Sequence, residues 1–140
     1  MRVTTDTCSL ETRSLYEVID ITPEMNDLVT RASARHGRLV AIAADRGCAL
    51  VVNEREAGFW EDLRGVLERF AASGVTPEVP IGDTSITLPI VDGSLELGTW
   101  QRVLFVELER PGPRSVMLQV LDDATVDDAE KEPVDGGPTS

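Results

Sequence analysis

The chain has 140 residues, 41% of them apolar but only 4% aromatic, and a formal net charge of −12. That is the length of one domain whose core must be built mainly from Leu, Val, Ile and Ala, and the carboxylate surplus excludes the phosphate-neutralising surface of a nucleic-acid binder. No apolar run approaches the ~20 residues of a membrane-spanning helix and no basic-then-apolar segment opens the chain, so a soluble cytoplasmic protein with no membrane partner is expected.

Residues 14–22 (SLYEVIDIT) alternate Leu15, Glu17, Ile19 and Ile21 against Tyr16, Val18 and Asp20, the pattern of a strand. Thr22, Pro23 and Glu24 then supply an N-cap, a first-turn proline and a carboxylate that complements the helix dipole. Met25, Leu28, Val29 and Ala32 fall at i, i+3, i+4 and i+7, and His36-Gly37 is suited to close this helix. Residues 38–44 (RLVAIAA) and 48–52 (CALVV) flank Asp45-Arg46-Gly47, a connection of hairpin length, so strand, tight loop, strand is expected. A second helix is expected from Gly58, with Trp60, Leu63, Leu67 and Phe70 at helical spacing, stopping near Ser73-Gly74. Residues 75–80, with two prolines, form a connector.

Residues 84–90 (TSITLPI) read as a strand followed by Asp92-Gly93, which suits a type I′ turn because both central residues there need positive φ. Residues 95–109 read as one long strand, with Val103, Phe105 and Glu107 on one face and Leu104, Val106 and Leu108 on the other. Apolar residues on both faces call for cover on both sides, by a second layer or another subunit. Pro111, Gly112 and Pro113 force a turn before a last strand at 115–121. Hairpins dominate over strand–helix–strand units, so the expected class is α+β, a mainly antiparallel sheet or sandwich with two helices in one domain, residues 1–121. Residues 122–140 carry seven carboxylates and one Lys, a local −6, and read as a solvated acidic tail.

The chemistry available is limited. There is one histidine, His36, and Cys8 and Cys48 lack metal-ligand spacing, so a His-rich zinc site is excluded within one chain. The two thiols are expected to be reduced and structural, and His36 to complement a helix C-terminus. No Walker A, GxGxxG or nucleophile-elbow string is present. What remains is a polar patch around one hairpin: Asp45, Arg46, Asn53, Glu54 and Glu56. Asp45 and Glu54 as a carboxylate pair suit Mg²⁺, which takes oxygen ligands, and Glu54 suits a general base. The plainer alternative is that strand ends are polar because they are wet. Trp100 is expected to anchor a core or subunit contact.

The run Pro89-Ile90-Val91-Asp92-Gly93, then Leu95, then Leu97-Gly98-Thr99-Trp100-Gln101 resembles the signature of the YjbQ-type family, also called secondary thiamine-phosphate synthase enzymes. Phe105, Glu107, Glu109 and Pro111 to Arg114 are similar to that family's CEFDGPR segment, and residues 49–54 (ALVVNE) to the end of its HTTAxxxINE segment. The resemblance covers roughly residues 10–121. It implies a compact α+β homotrimer, a phosphorylated small-molecule substrate, and coupling of a thiazole phosphate to a pyrimidine pyrophosphate with release of pyrophosphate. It also implies a site containing Asn53 and Glu54, the catalytic candidates, with Gln101 of the LGTWQ string as a ligand-binding candidate; Arg46 is a second one if the site has been rebuilt to meet phosphate.

The departures fall in that site. Counting back from Asn53-Glu54 places the family's His-Thr-Thr on Asp45, Arg46 and Gly47, and the family's later HxEGNxxAH stretch has no counterpart. An anion at Asp45 repels phosphate unless a metal or Arg46 offsets it. Two readings follow: a homotrimer that has lost the family's catalytic constellation and serves in binding or assembly, or an enzyme with a rebuilt site in which Asp45 and Glu54 hold Mg²⁺.

Overall fold

A computed structural model describes residues 1–54, 56–74 and 82–123. In chain order the elements are β1 (Arg2–Thr12), β2 (Val18–Asp20), α1 (Thr22–Arg31), β3 (Gly37–Ala43), β4 (Cys48–Glu54), α2 (Ala57–Ala72), β5 (Ser85–Val91), β6 (Ser94–Leu95), β7 (Gln101–Glu107) and β8 (Gly112–Asp122). The strands form a five-stranded sheet in the order β1-β8-β3-β5-β6 and a three-stranded sheet in the order β2-β7-β4, and all the pairings are antiparallel. The class is α+β with two helices, as the pattern predicts.

The core lies between the two sheets and α1. Met25, Leu28 and Val29 are buried as the helical stripe requires, and they join Leu39 and Ala41 of β3, Val116, Leu118 and Val120 of β8, and Val103 and Phe105 of β7. Helix α1 starts with Pro23 in its first turn, but its entry is fixed from outside. The Thr22 N–H donates to Asp20 Oδ1 at 2.9 Å, and Thr22 Oγ1 accepts from the Val103 N–H at 2.8 Å. Its last residue, Arg31, comes six residues before the expected Gly37. Ser33 takes a left-handed φ of 53°, with Ser33 N–H to Thr30 O and Ala34 N–H to Val29 O, the paired bonds of a Schellman cap. Gly37 has a different task, because a Cβ there would stand 1.9 Å from Leu121 O across the sheet.

Strand β7 is covered on both sides, as its two apolar faces demand. Opposite to its core face, Leu104 and Val106 are also buried, with Ala49 of β4 facing Val106. Two bonds hold α2 on this side: Tyr16 Oη–H to Leu67 O at 3.4 Å and Trp60 Nε1–H to Glu54 O at 3.4 Å. Of the expected α2 stripe, Leu67 is buried, Trp60 and Leu63 are half-buried, and Phe70 is 44% exposed.

Three expectations are corrected. The strands on either side of Asp45-Arg46-Gly47 do not form a hairpin: β3 lies in the five-stranded sheet and β4 in the three-stranded one. The connection is a corner stitched to other elements, with Ser115 N–H donating to Asp45 Oδ2 (2.8 Å), Ala44 N–H to Ser115 O (3.1 Å) and Leu108 N–H to Gly47 O (2.8 Å). The long strand at 95–109 is broken in the same way. Asp92 and Gly93 do have positive φ (51° and 82°) and pair β5 with β6, but β7 then crosses to the other sheet. The break is a turn closed by Gln101 N–H to Gly98 O (2.9 Å) and Gly98 N–H to Gln101 Oε1 (2.8 Å). The last strand is longer than expected, so Asp122 belongs to β8, buried and held by the Arg2 guanidinium. The connector at 75–80 and residues 124–140 of the acidic tail lie outside the described residues.

Candidate functional site

The predicted site residues separate into two groups at opposite ends of β4. Register pairs Glu54 with Gln101 and Asn53 with Arg102, so these residues share one end of the β4–β7 ladder. Asn53 Oδ1 accepts from the Glu54 N–H at 2.7 Å, and Gln101 Oε1 accepts from the Gly98 N–H at 2.8 Å. Asn53, Glu54 and Gln101 are exposed. Trp100 stands beside them at the tip of the turn, 75% exposed. It is not a core anchor in this chain: the reciprocal Gly98–Gln101 bonds close the turn on itself, and the indole is left to solvent.

Asp45 and Arg46 sit at the other end, before Cys48, which pairs with Glu107. Six residue steps from Cys48 to Glu54 correspond to about 20 Å. Asp45 and Glu54 therefore have no common position for a Mg²⁺ ion within one chain, and the expected carboxylate pair is corrected. Among the described residues no three His, Cys, Asp or Glu side chains converge as metal ligands. Asp45 is committed to the Ser115 N–H, and Arg46 is exposed. His36 lies beyond the helix terminus, its Nε2 3.8 Å from Asp92 Oδ1 in the β5–β6 turn.

Sequence reasoning missed the densest polar cluster. Glu107 points inward from β7 beside Val103 and Phe105 and is fully buried. Its Oε1 accepts from Thr12 Oγ1–H at 2.6 Å and from Arg114 Nε–H at 2.8 Å, and its Oε2 accepts from the Glu109 N–H at 3.2 Å. Cys48 Sγ lies 3.6 Å from Oε2. Burial works to raise the Glu107 pKa, but the bonds from Thr12, Glu109 and Arg114 outweigh it and hold the carboxyl below its ordinary value. Burial first, then the Glu107 charge, push the Cys48 thiol up to about 11. Burial, with Glu24 and Asp6, does the same to Cys8. Both free thiols are thus protonated at neutral pH and poor nucleophiles. The available signal was the inward alternation of Glu107 and the arginine seven residues on.

A second ion pair braces α1. Arg102 Nε–H donates to Asp20 Oδ2 at 2.7 Å. Burial of Asp20 raises its pKa, while bonds from Thr22 and Arg102 lower it by more.

The arrangement is therefore one sealed polar cluster and one open rim. A family model described as UPF0047 protein YjbQ-like matches residues 6–78 and 79–123. A UPF0047 protein of Archaeoglobus fulgidus is 30% identical over 126 residues, covering 81% of this chain and 98% of that protein. A UPF0047 protein of Methanothermobacter thermautotrophicus is 28% identical over 138 residues, covering 86% and 93%. The fold is that of a YbjQ-like protein of unknown function from Sulfolobus solfataricus, with TM-score 0.77, 24% identity, and 87% and 99% of the two chains covered. A hypothetical protein from Aeropyrum pernix K1 is similar at TM-score 0.73 and 28% identity, covering 86% and 99%.

Proposed function

The chain belongs to the UPF0047 (YjbQ-like) family, and we propose that it is a homotrimeric binding or assembly member of it, without thiamine-phosphate synthase activity. One observation carries the reading: the outer face of the five-stranded sheet is broad and nearly free of charge. Register places Thr7, Met117, Ile42 and Ser85 in one row across four strands, and Thr5, Gln119, Val40 and Thr87 in the next. Ile42 and Met117 are 43% and 48% exposed. In a chain of net charge −12, this is a surface where copies meet without opposing their carboxylates. Loss of the synthase activity rests on Asp45, which stands where the resemblance puts a histidine and is spent on the Ser115 N–H. Two buried, free cysteines favour a reducing compartment, the cytoplasm.

Analytical ultracentrifugation tests the assembly. The wild type is expected at about 46 kDa, three times the 15.2 kDa chain, and the Ile42→Glu/Met117→Glu variant at the monomer mass with unchanged far-UV circular dichroism. A monomeric wild type contradicts the proposal. Thiamine phosphate formed by the pure protein, and abolished by Glu54→Ala, would instead support the rebuilt enzyme with a phosphorylated substrate.

A further inference from the structure

The five-stranded sheet ends at β1, which pairs with β8 on one side and with no other strand on its far side among the described residues. It is a long edge: register with β8 runs without a break from Arg2 to Thr12, with no proline or bulge in β1 to blunt it. The Thr7 N–H donates to Asp6 Oδ1 at 2.8 Å, outside the ladder, so Thr7 turns its main-chain groups outward. The alternation of an antiparallel ladder turns those of Val3, Thr5 and Ser9 the same way.

Beside this edge lies a cavity of about 300 Å³ between β1 and α1. Cys8 and Leu118 give it an apolar floor, and Asp6, Glu24 and Asp27 give it an acidic wall that outweighs Arg31. Arg31 bonds Asp6 (2.6 Å) and Asp27 (2.8 Å), and both pairs are solvent-exposed on both partners, so a second cation can exchange with it at little cost. Glu24 has no ion-pair partner among the described residues. An open strand edge alongside a helix, with a recess between them, is the geometry in which proteins add a peptide strand: main-chain bonds supply affinity and the recess selects a side chain.

We propose that the β1–α1 recess binds an extended, basic peptide segment as an added strand, its main chain on the outward groups of Val3 to Ser9 and a Lys or Arg against Glu24 and Asp27. At Thr7 the incoming carbonyl replaces the Asp6 carboxylate, which is thereby released towards the same cation. The edge adjoins the sheet face assigned to assembly, whose rows begin at Thr5 and Thr7, but the recess itself lies on the α1 side of the sheet.

The probe is an array of short peptides of alternating Thr and Val with Lys, Gln or Glu at the centre, followed by fluorescence anisotropy of the tightest Lys-centred member against the full chain. That member is expected to bind at least about tenfold tighter than its Glu-centred counterpart. Binding is expected to disappear when alternate peptide amides are N-methylated, and to weaken about tenfold in Glu24→Gln/Asp27→Asn, whose substitutions are on the helix surface. Hydrogen exchange at residues 3–9 should slow when the peptide is added. An array with no binder overturns the proposal, and so does binding that survives both N-methylation and the double substitution.

Discussion

The two ends of the β4–β7 ladder carry similar residues and use them oppositely. At one end Glu107 is buried with Arg114, Thr12 and Cys48, and its hydrogen-bonding capacity is filled from β1, β4, β8 and the connection that follows β7. At the other end Glu54 and Gln101 face each other in the open, beside an exposed Trp100. A glutamate on a strand is thus not a site by type or by position. What separates the two is where the neighbouring connection goes. The β7–β8 connection folds back and delivers Arg114 to Glu107, whereas the Gly98–Gln101 turn binds itself and leaves Glu54 facing solvent. Polarity is spent on the fold at the first end and presented at the second.

The largest expected effect comes from breaking the sealed end. Arg114→Ala leaves Glu107 buried without its cation, and should cost about 3–5 kcal/mol in urea unfolding. A loss no greater than that of a surface arginine would mean that the cluster is already hydrated. The pH dependence follows from the same cluster. The folded-state pKa of Glu107 lies below its ordinary 4.5, so the unfolded chain binds the proton more readily. Its contribution to stability is therefore fully present above about pH 4.5 and lost as the pH falls through the folded value. Asp20, also lowered, acts in the same direction from its ordinary 3.8. Glu107→Gln should flatten the acid limb of a stability–pH curve measured by urea melts, and an unchanged limb would assign that limb to other carboxylates. The smallest effect is expected at the rim: Trp100→Ala should cost under ~1 kcal/mol in the same melts, because there is little burial to lose. A loss of several kcal/mol would place Trp100 in a subunit contact.

The helix stripes and the Asp92-Gly93 turn were legible because their determinants are local, although the ends of α1 were not: Thr22 is its first residue instead of its N-cap, and it stops at Arg31. The α1 stripe, the α2 spacing and the two positive φ values at Asp92-Gly93 are written in consecutive residues. Strand β1 was not legible: its inward positions are Arg2, Thr4, Asp6, Cys8, Leu10 and Thr12, so apolar alternation is almost absent. Its β-branched threonines were the usable clue. The division of strands between sheets was hidden for another reason. A three-residue link suits a hairpin, and only the bonds from Asp45 and Ala44 to Ser115, some seventy residues away, make it a corner. The site failed for a simpler reason: the sequence placed Asp45 and Glu54 around one hairpin, but the extended strand β4 lies between them and holds them apart whichever strand it pairs with. The resemblance marked Glu107 and Arg114 in one stretch, but only the fold brings Thr12 and Cys48 to them.

The contrast between the ends is tested most directly by neutralising each glutamate in turn, Glu107→Gln and Glu54→Gln, in one urea titration near neutral pH. The predicted result is a loss of about 2–3 kcal/mol for the first, from the weakened charge-assisted bonds, and a change within ~0.5 kcal/mol for the second. Equal losses at the two positions would contradict it.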